Sequence, residues 1–190
     1  MEPRRRRSKL VYLAIIATFA VIAIVGVVEF ANQPSGLNSG TQASQSSLVR
    51  TAFSNHLGEI EVMNISAIRG EYTANATTEF YSPGVGDYFL GGSAGKAISD
   101  MGHGPQQIGN LFSGVFLSDF VIPHITNANY TVSVSGTVAM VHSTFDVEGT
   151  NLDGSDVYAS VDLHATYLKT GGNWMISQEL WNFTDVTSHG

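Results

Sequence analysis

The clearest alternation of apolar and polar residues lies between Asn129 and Thr184, in four segments separated by tight turns: YTVSV, TVAMVHSTFDVEG, DVYASVDLHATYL and NWMISQELWNF. Successive side chains of a strand point to opposite faces, so each segment presents one apolar and one polar side. In the third, Val157, Ala159, Val161, Leu163, Ala165 and Tyr167 fall on one side, with Asp156, Ser160, Asp162, His164 and Thr166 on the other. A two-residue Gly171-Gly172 turn predicts Tyr167 opposite Ile176, Ala165 opposite Gln178 and Leu163 opposite Leu180, glycine supplying the positive φ that a primed turn needs. The preceding loop, Leu152-Asp153-Gly154, must be odd in length to keep Val141 and Phe145 on the apolar side, and it pairs His142 with His164. The first hairpin is expected to close on Ser135-Gly136, setting Tyr130, Val132 and Val134 against Val141, Ala139 and Thr137.

The pattern upstream has the helical period. Val49, Phe53, Leu57, Ile60 and Met63 recur at spacings of three and four, which predicts an amphipathic helix over 47–63 with Ser46 or Ser47 as N-cap. A shorter helix is expected over 65–72, and short extended pieces broken by Gly and Pro over 77–92. A third helix should open at His103-Gly104-Pro105, since proline suits the first helical position, with Ile108, Leu111, Phe112, Val115 and Phe116 as its stripe. Helices followed by an antiparallel meander make an α+β domain, with the helices laid on one face of the sheet.

An uninterrupted apolar run, Leu10 to Val28, follows the basic opening MEPRRRRSK. Its length matches a bilayer span, and cations before a span hold the N-terminus in the cytoplasm. The expected organisation is a cytoplasmic basic tail (1–9), a signal-anchor helix (10–29), a flexible linker rich in Ser, Gly, Asn and Gln (30–46), and a folded extracytoplasmic domain (47–186). A cleaved signal peptide is the rival; the run is long for one, and Val28-Glu29-Phe30-Ala31 fits a small-x-small cleavage site poorly.

Charge divides at the same place. Five of the nine Lys and Arg lie in the first nine residues; beyond Glu29 four cations face fourteen of the sixteen acids, a net charge near −10. That balance argues against nucleic acid or anionic lipid as partner of the domain. There is no cysteine, which excludes disulfides, a thiol nucleophile and thiolate metal ligands.

The order of elements resembles the nuclear transport factor 2-like superfamily, which includes ketosteroid isomerases and SnoaL-like cyclases. The resemblance covers about residues 47–185 and is carried by the helical half at 47–80, the helix GPQQIGNLFSGVF, the strand GTVAMVHSTFDVEG and the closing hairpin YLKTGGNWMISQELWNF with its Trp-x-Ile. It implies a cystatin-like cone, a curved antiparallel sheet wrapped on three helices with a pocket at the open end. The superfamily holds isomerases, cyclases, dehydratases and non-enzymatic modules, so the fold alone selects no activity. The isomerases' Tyr/Asp constellation has no clear counterpart here.

Simple alternation puts Val141, Ser143, Phe145, Val161, Leu163, Tyr167, Trp174 and Gln178 on the inner face, without carboxylate or imidazole. With Tyr72, Phe112 and Phe116 from the helical half, they would line a pocket for an apolar ligand or simply fill a core. Titrating groups for acid–base work then come from loops and helix ends: Asp87, His103 and His124. On the outer face Asn129, His142, His164 and Glu179 align across four strands, with Asp146 and Asp162 nearby. Two imidazoles and a carboxylate suit a transition metal, although a flat row converges poorly and a hydrogen-bonded row is the plainer alternative. Met175, Trp181 and Phe183 on that face suggest a homodimer contact. Four N-x-S/T sequons occur, at Asn64, Asn75, Asn129 and Asn182; Asn129 should face outward and Asn182 inward.

These patterns lead to a membrane-anchored binding or assembly module that engages a small apolar ligand or another envelope protein, without cofactor. The alternative is a small isomerase or cyclase acting through Asp87 or His103.

Overall fold

Val49, Phe53 and Ile60 have no accessible surface, as the stripe on the first helix demands. The computed structural model describes residues 39–82, 98–118, 121–150 and 154–189. The tail and apolar run at 1–29, the linker up to residue 38, and Asp87 lie outside the described residues.

Helix α1 (Ser39–Glu61) starts eight residues before the expected Ser47. Its first turns are held by tertiary contacts that composition does not reveal. The Gln42 side chain donates to the Val134 carbonyl at 3.2 Å, and Lys169 Nζ donates to Gln45 Oε1 at 2.7 Å. Met63, at φ 56°, turns the chain into α2 (Ile65–Gly70), whose N-cap Asn64 accepts from the Ala67 N–H. The second helix stops short of Tyr72, which instead begins β1 (Tyr72–Ser82). After β2 (Ile98–His103), helix α3 (Gly104–Ser118) opens at the expected place, with all five stripe residues buried.

The meander follows as β3 (Val121–Ser135), β4 (Val138–Thr150), β5 (Asp156–Thr170) and β6 (Asn173–His189). The six strands form one sheet in the order β2-β1-β6-β5-β4-β3. The sheet is more than the four-stranded meander, because β1 lies beside β6 and runs parallel to it. The sheet is therefore mixed, where a wholly antiparallel one was expected.

His142 faces His164, as the odd loop required, and Gly154 has φ +88°. The β5–β6 turn is Gly171-Gly172, both at positive φ, and Tyr167 faces Ile176. The β3–β4 turn is Gly136-Thr137 instead of Ser135-Gly136, so Val134 faces Ala139 and Val132 faces Val141. That slip of two residues leaves every side chain on its expected face.

One difference has larger consequences. Between Tyr167 and Thr166 the β5–β6 register shifts by a residue: Tyr167 faces Ile176, but Thr166 faces Gln178 and Leu163 faces Trp181. The extra residue is Ser177, whose hydroxyl donates to the Thr166 carbonyl at 3.0 Å. A one-residue bulge sends every following side chain to the opposite face. Glu179, Trp181 and Phe183 therefore point inward and are buried, while Gln178, Leu180 and Asn182 face out, half-buried.

Candidate functional site

The bulge carries Glu179 under helix α1, where His56 occupies a stripe position between Phe53 and Ile60. His56 has no accessible surface, and both ring nitrogens are engaged: Nδ1 lies 2.6 Å from Glu71 Oε2, and Nε2 lies 3.0 Å from Glu179 Oε1. The Tyr72 hydroxyl donates to the other Glu179 oxygen at 2.5 Å. Of the two carboxylates, Glu179 has no exposed side chain, while Glu71 keeps 25% of its side-chain surface in solvent.

An imidazole can donate from both nitrogens only when protonated. Burial by itself pushes the His56 pKa down. The charge of Glu179, with hydrogen bonds to Glu179 and Glu71 and the charge of Glu71, outweighs it and holds the ring up at about 10. Burial, then the Glu179 carboxylate, raises Tyr72 well above the ordinary phenol value; Tyr167 is raised the same way by burial, Glu179 and Glu71. Aromatic rings wall this network. Phe112 meets His56 edge-on at 5.9 Å and Phe80 at 5.0 Å, and Trp181 packs against Phe80, Phe112 and Phe145. Among the described residues, the buried Tyr167 Oη and Trp181 Nε1 have no hydrogen-bond partner.

Of the expected inner face, Val141, Ser143, Phe145, Val161, Leu163, Tyr167 and Trp174 are buried, as are Tyr72, Phe112 and Phe116 from the other half; that placement fills the core. The expectation fails for Gln178, which the bulge turns outward and leaves half-buried. The absence of carboxylate and imidazole from the interior is also overturned, by Glu179 and His56. Trp181 and Phe183 are fully buried and cannot form the outer dimer contact expected of them; Met175 stays half-buried next to the turn.

The loop candidates do not gather. His103 ends β2, exposed, its backbone N–H donating to Gln107 Oε1 at 3.1 Å. His124 is on β3 with 70% of its side chain exposed, 3.2 Å from Glu61. Of the sequons, Asn75 and Asn129 are exposed, Asn64 is exposed as the cap of α2, and Asn182 faces outward, contrary to expectation. Asn129 pairs with Thr144, and Thr131 takes the place opposite His142.

The outer row also changes membership. Glu179 leaves it, and Asp162 joins the two histidines: its Oδ1 lies 2.7 Å from His142 Nε2 and 3.3 Å from His164 Nε2. The two rings stack at 4.4 Å between centroids, 12° from parallel. Partial burial lowers the His164 pKa below the ordinary histidine value, the Asp162 charge opposing and His142 adding to the shift.

No protein-family model matches the chain. No curated protein matches it either. Solved structures do. The hexachlorocyclohexane dehydrochlorinase LinA-type3 from Novosphingobium barchaimii is 14% identical with a TM-score of 0.58, over 78% of this chain and 92% of that one. A ketosteroid isomerase-like protein from Erwinia carotovora atroseptica is 16% identical with a TM-score of 0.54, over 74% and 97%. A protein of unknown function with a cystatin-like fold from Nostoc punctiforme is 10% identical with a TM-score of 0.54, over 73% and 90%. At such identities the likeness establishes the fold alone: α+β, a curved six-stranded sheet with helices, as in these cystatin-like and ketosteroid isomerase-like neighbours.

Proposed function

We propose that this domain is a non-catalytic binding or assembly module, held outside the cytoplasm by the apolar segment 10–29, in which the buried His56–Glu71–Glu179–Tyr72 network is structural. The observation that carries this reading is the state of His56. It is sealed from solvent, both nitrogens are committed to carboxylates, and at about pKa 10 it stays protonated at neutral pH. A general base needs a free lone pair within reach of substrate, and this ring offers neither. The aromatic wall supports the same reading: Phe80, Phe112, Trp181 and Phe183 have no accessible surface. The network then ties α1 to the closing strand and leaves the domain's exterior to do the binding.

One observation favours an acid–base enzyme of the isomerase or dehydrochlorinase kind. The unpartnered donors Tyr167 Oη and Trp181 Nε1 are buried, and orphaned polar groups of this kind call for an explanation.

A single experiment separates the two. Wild type and Glu179→Gln are compared for folding by circular dichroism and for turnover of a panel of isomerase and dehydrochlorinase substrates. The module reading expects no turnover in either and a lower melting temperature for the variant. Turnover by wild type that is abolished in a folded Glu179→Gln variant would overturn it. Anchoring is tested separately: protease added to intact cells should digest the domain and spare residues 1–9.

A further inference from the structure

The outer face of the sheet carries a second cluster that the buried network does not use. His142 on β4 and His164 on β5 are direct cross-strand neighbours, and Asp162 precedes His164 by two residues on the same face. Side chains so placed start about 5 Å apart at Cβ. Here they close further, both Nε2 atoms converging on one carboxylate oxygen at 2.7 and 3.3 Å. One ligand atom from each of the three residues lies within 4.8 Å of the others. The row is therefore not flat at this point, which removes the geometric objection to a shared ion.

We propose that His142, Asp162 and His164 bind one divalent transition-metal ion of the zinc class. Two imidazole nitrogens and one carboxylate oxygen are the donor set that borderline ions such as Zn²⁺, Ni²⁺ and Cu²⁺ take, whereas Ca²⁺ and Mg²⁺ require shells of oxygen. Metal entry breaks the His142 Nε2–Asp162 Oδ1 hydrogen bond: each ring, neutral with its proton on Nδ1, turns the Nε2 lone pair to the ion, and the freed Asp162 oxygen becomes the third ligand.

A separate feature of the same face points the same way. Asn182 pairs across the sheet with Asp162, and its Oδ1 is buried with no hydrogen-bond partner among the described residues. That leaves an unsatisfied carbonyl oxygen on the strand next to the cluster, on the residue paired with one of its three members. Three protein ligands leave a coordination position open to water or to a side chain from another molecule.

The test is calorimetric titration of the metal-stripped, full-length chain with ZnCl₂ near neutral pH. The expected result is one saturable site per chain, weakened at least about tenfold in His142→Ala and in Asp162→Asn, given that loss of even an outer-shell partner costs 10–100-fold. The site should survive in His124→Ala, which removes the other exposed His–carboxylate pair, and in excess Mg²⁺. All three positions have 42–50% of their side chains exposed, so the variants should keep the wild-type circular dichroism. Absence of a saturable site in wild type, retention of full affinity in His142→Ala, or equal loss in His124→Ala would each overturn the proposal.

Discussion

Removing one member of a buried charge cluster strands the others, and that governs what substitutions at His56 and Glu179 should do. His56→Ala leaves Glu179 buried without its cation and should lower stability by about 3–5 kcal/mol. Glu179→Gln keeps the shape but removes the charge, and its one carbonyl oxygen accepts from only one of His56 and Tyr72, a loss of about 1.5–3 kcal/mol. Urea titration checks both, and losses below experimental error would mean the network is not the tie inferred for it. The pH dependence follows in sign. The folded-state pKa of His56 is raised from 6.5 to about 10, so its contribution is complete below about pH 6.5 and fades as pH rises toward 10. Unfolding free energy should therefore fall between pH 6.5 and 10 in wild type, and this part of the slope should vanish in His56→Leu. His56 itself was legible in the sequence: it stands three residues after Phe53 and four before Ile60, inside the apolar stripe. A lone imidazole at a core position signals a partner, but its partner Glu179 could not be found, because strict alternation sent that carboxylate to the wet side.

Strand β6 shows where pattern-based register stops working. Starting from Trp174, alternation buries Ile176, Gln178, Leu180 and Asn182 and leaves Trp181 and Phe183 in water. The chain instead inserts Ser177 as a bulge, and the hydroxyl takes over the Thr166 carbonyl that the shifted ladder strands. A second shift follows near Asp185, which sits at φ 52°, and returns Val186 to the interior. The signal was present as a conflict: two large aromatics on a supposedly wet face, with polar Gln178 and Asn182 on the buried one. A single slip between Ile176 and Glu179 resolves it, since burying two aromatics outweighs one disrupted ladder bond. Trp181→Ala discriminates between the two registers. Truncating a buried Trp should cost about 3–5 kcal/mol, whereas an exposed one would change stability by about 0.5 kcal/mol or less. The remaining strands were readable because their turns are marked by glycines, Gly136, Gly154 and Gly171-Gly172, all at positive φ.

At the scale of the whole molecule, local pattern gave the α+β class and the meander, while pairings between distant segments stayed hidden. The parallel β1–β6 contact is one such pairing, since nothing in either segment states which edge its partner will occupy. The start of the domain is another. Composition places residues 30–46 in a linker, but α1 begins at Ser39, and its first turns touch the sheet through Gln42 on the Val134 carbonyl and Gln45 on Lys169. The compact unit accordingly runs from Gly40 to Gly190. Two versions of the chain decide whether these turns belong to the fold. One that begins at residue 39 should melt cooperatively. One that begins at residue 47 loses both contacts and also the carbonyls that cap the following turn. At about 0.5–1.5 kcal/mol per hydrogen bond, the shorter version should be less stable by about 1–3 kcal/mol. It should also expose the Val134 edge of β3 to faster amide exchange, because the covering turn is gone. Equal stability and equal exchange would mean that the first two turns of α1 form without contributing to the fold, and that the boundary suggested by composition is the thermodynamic one.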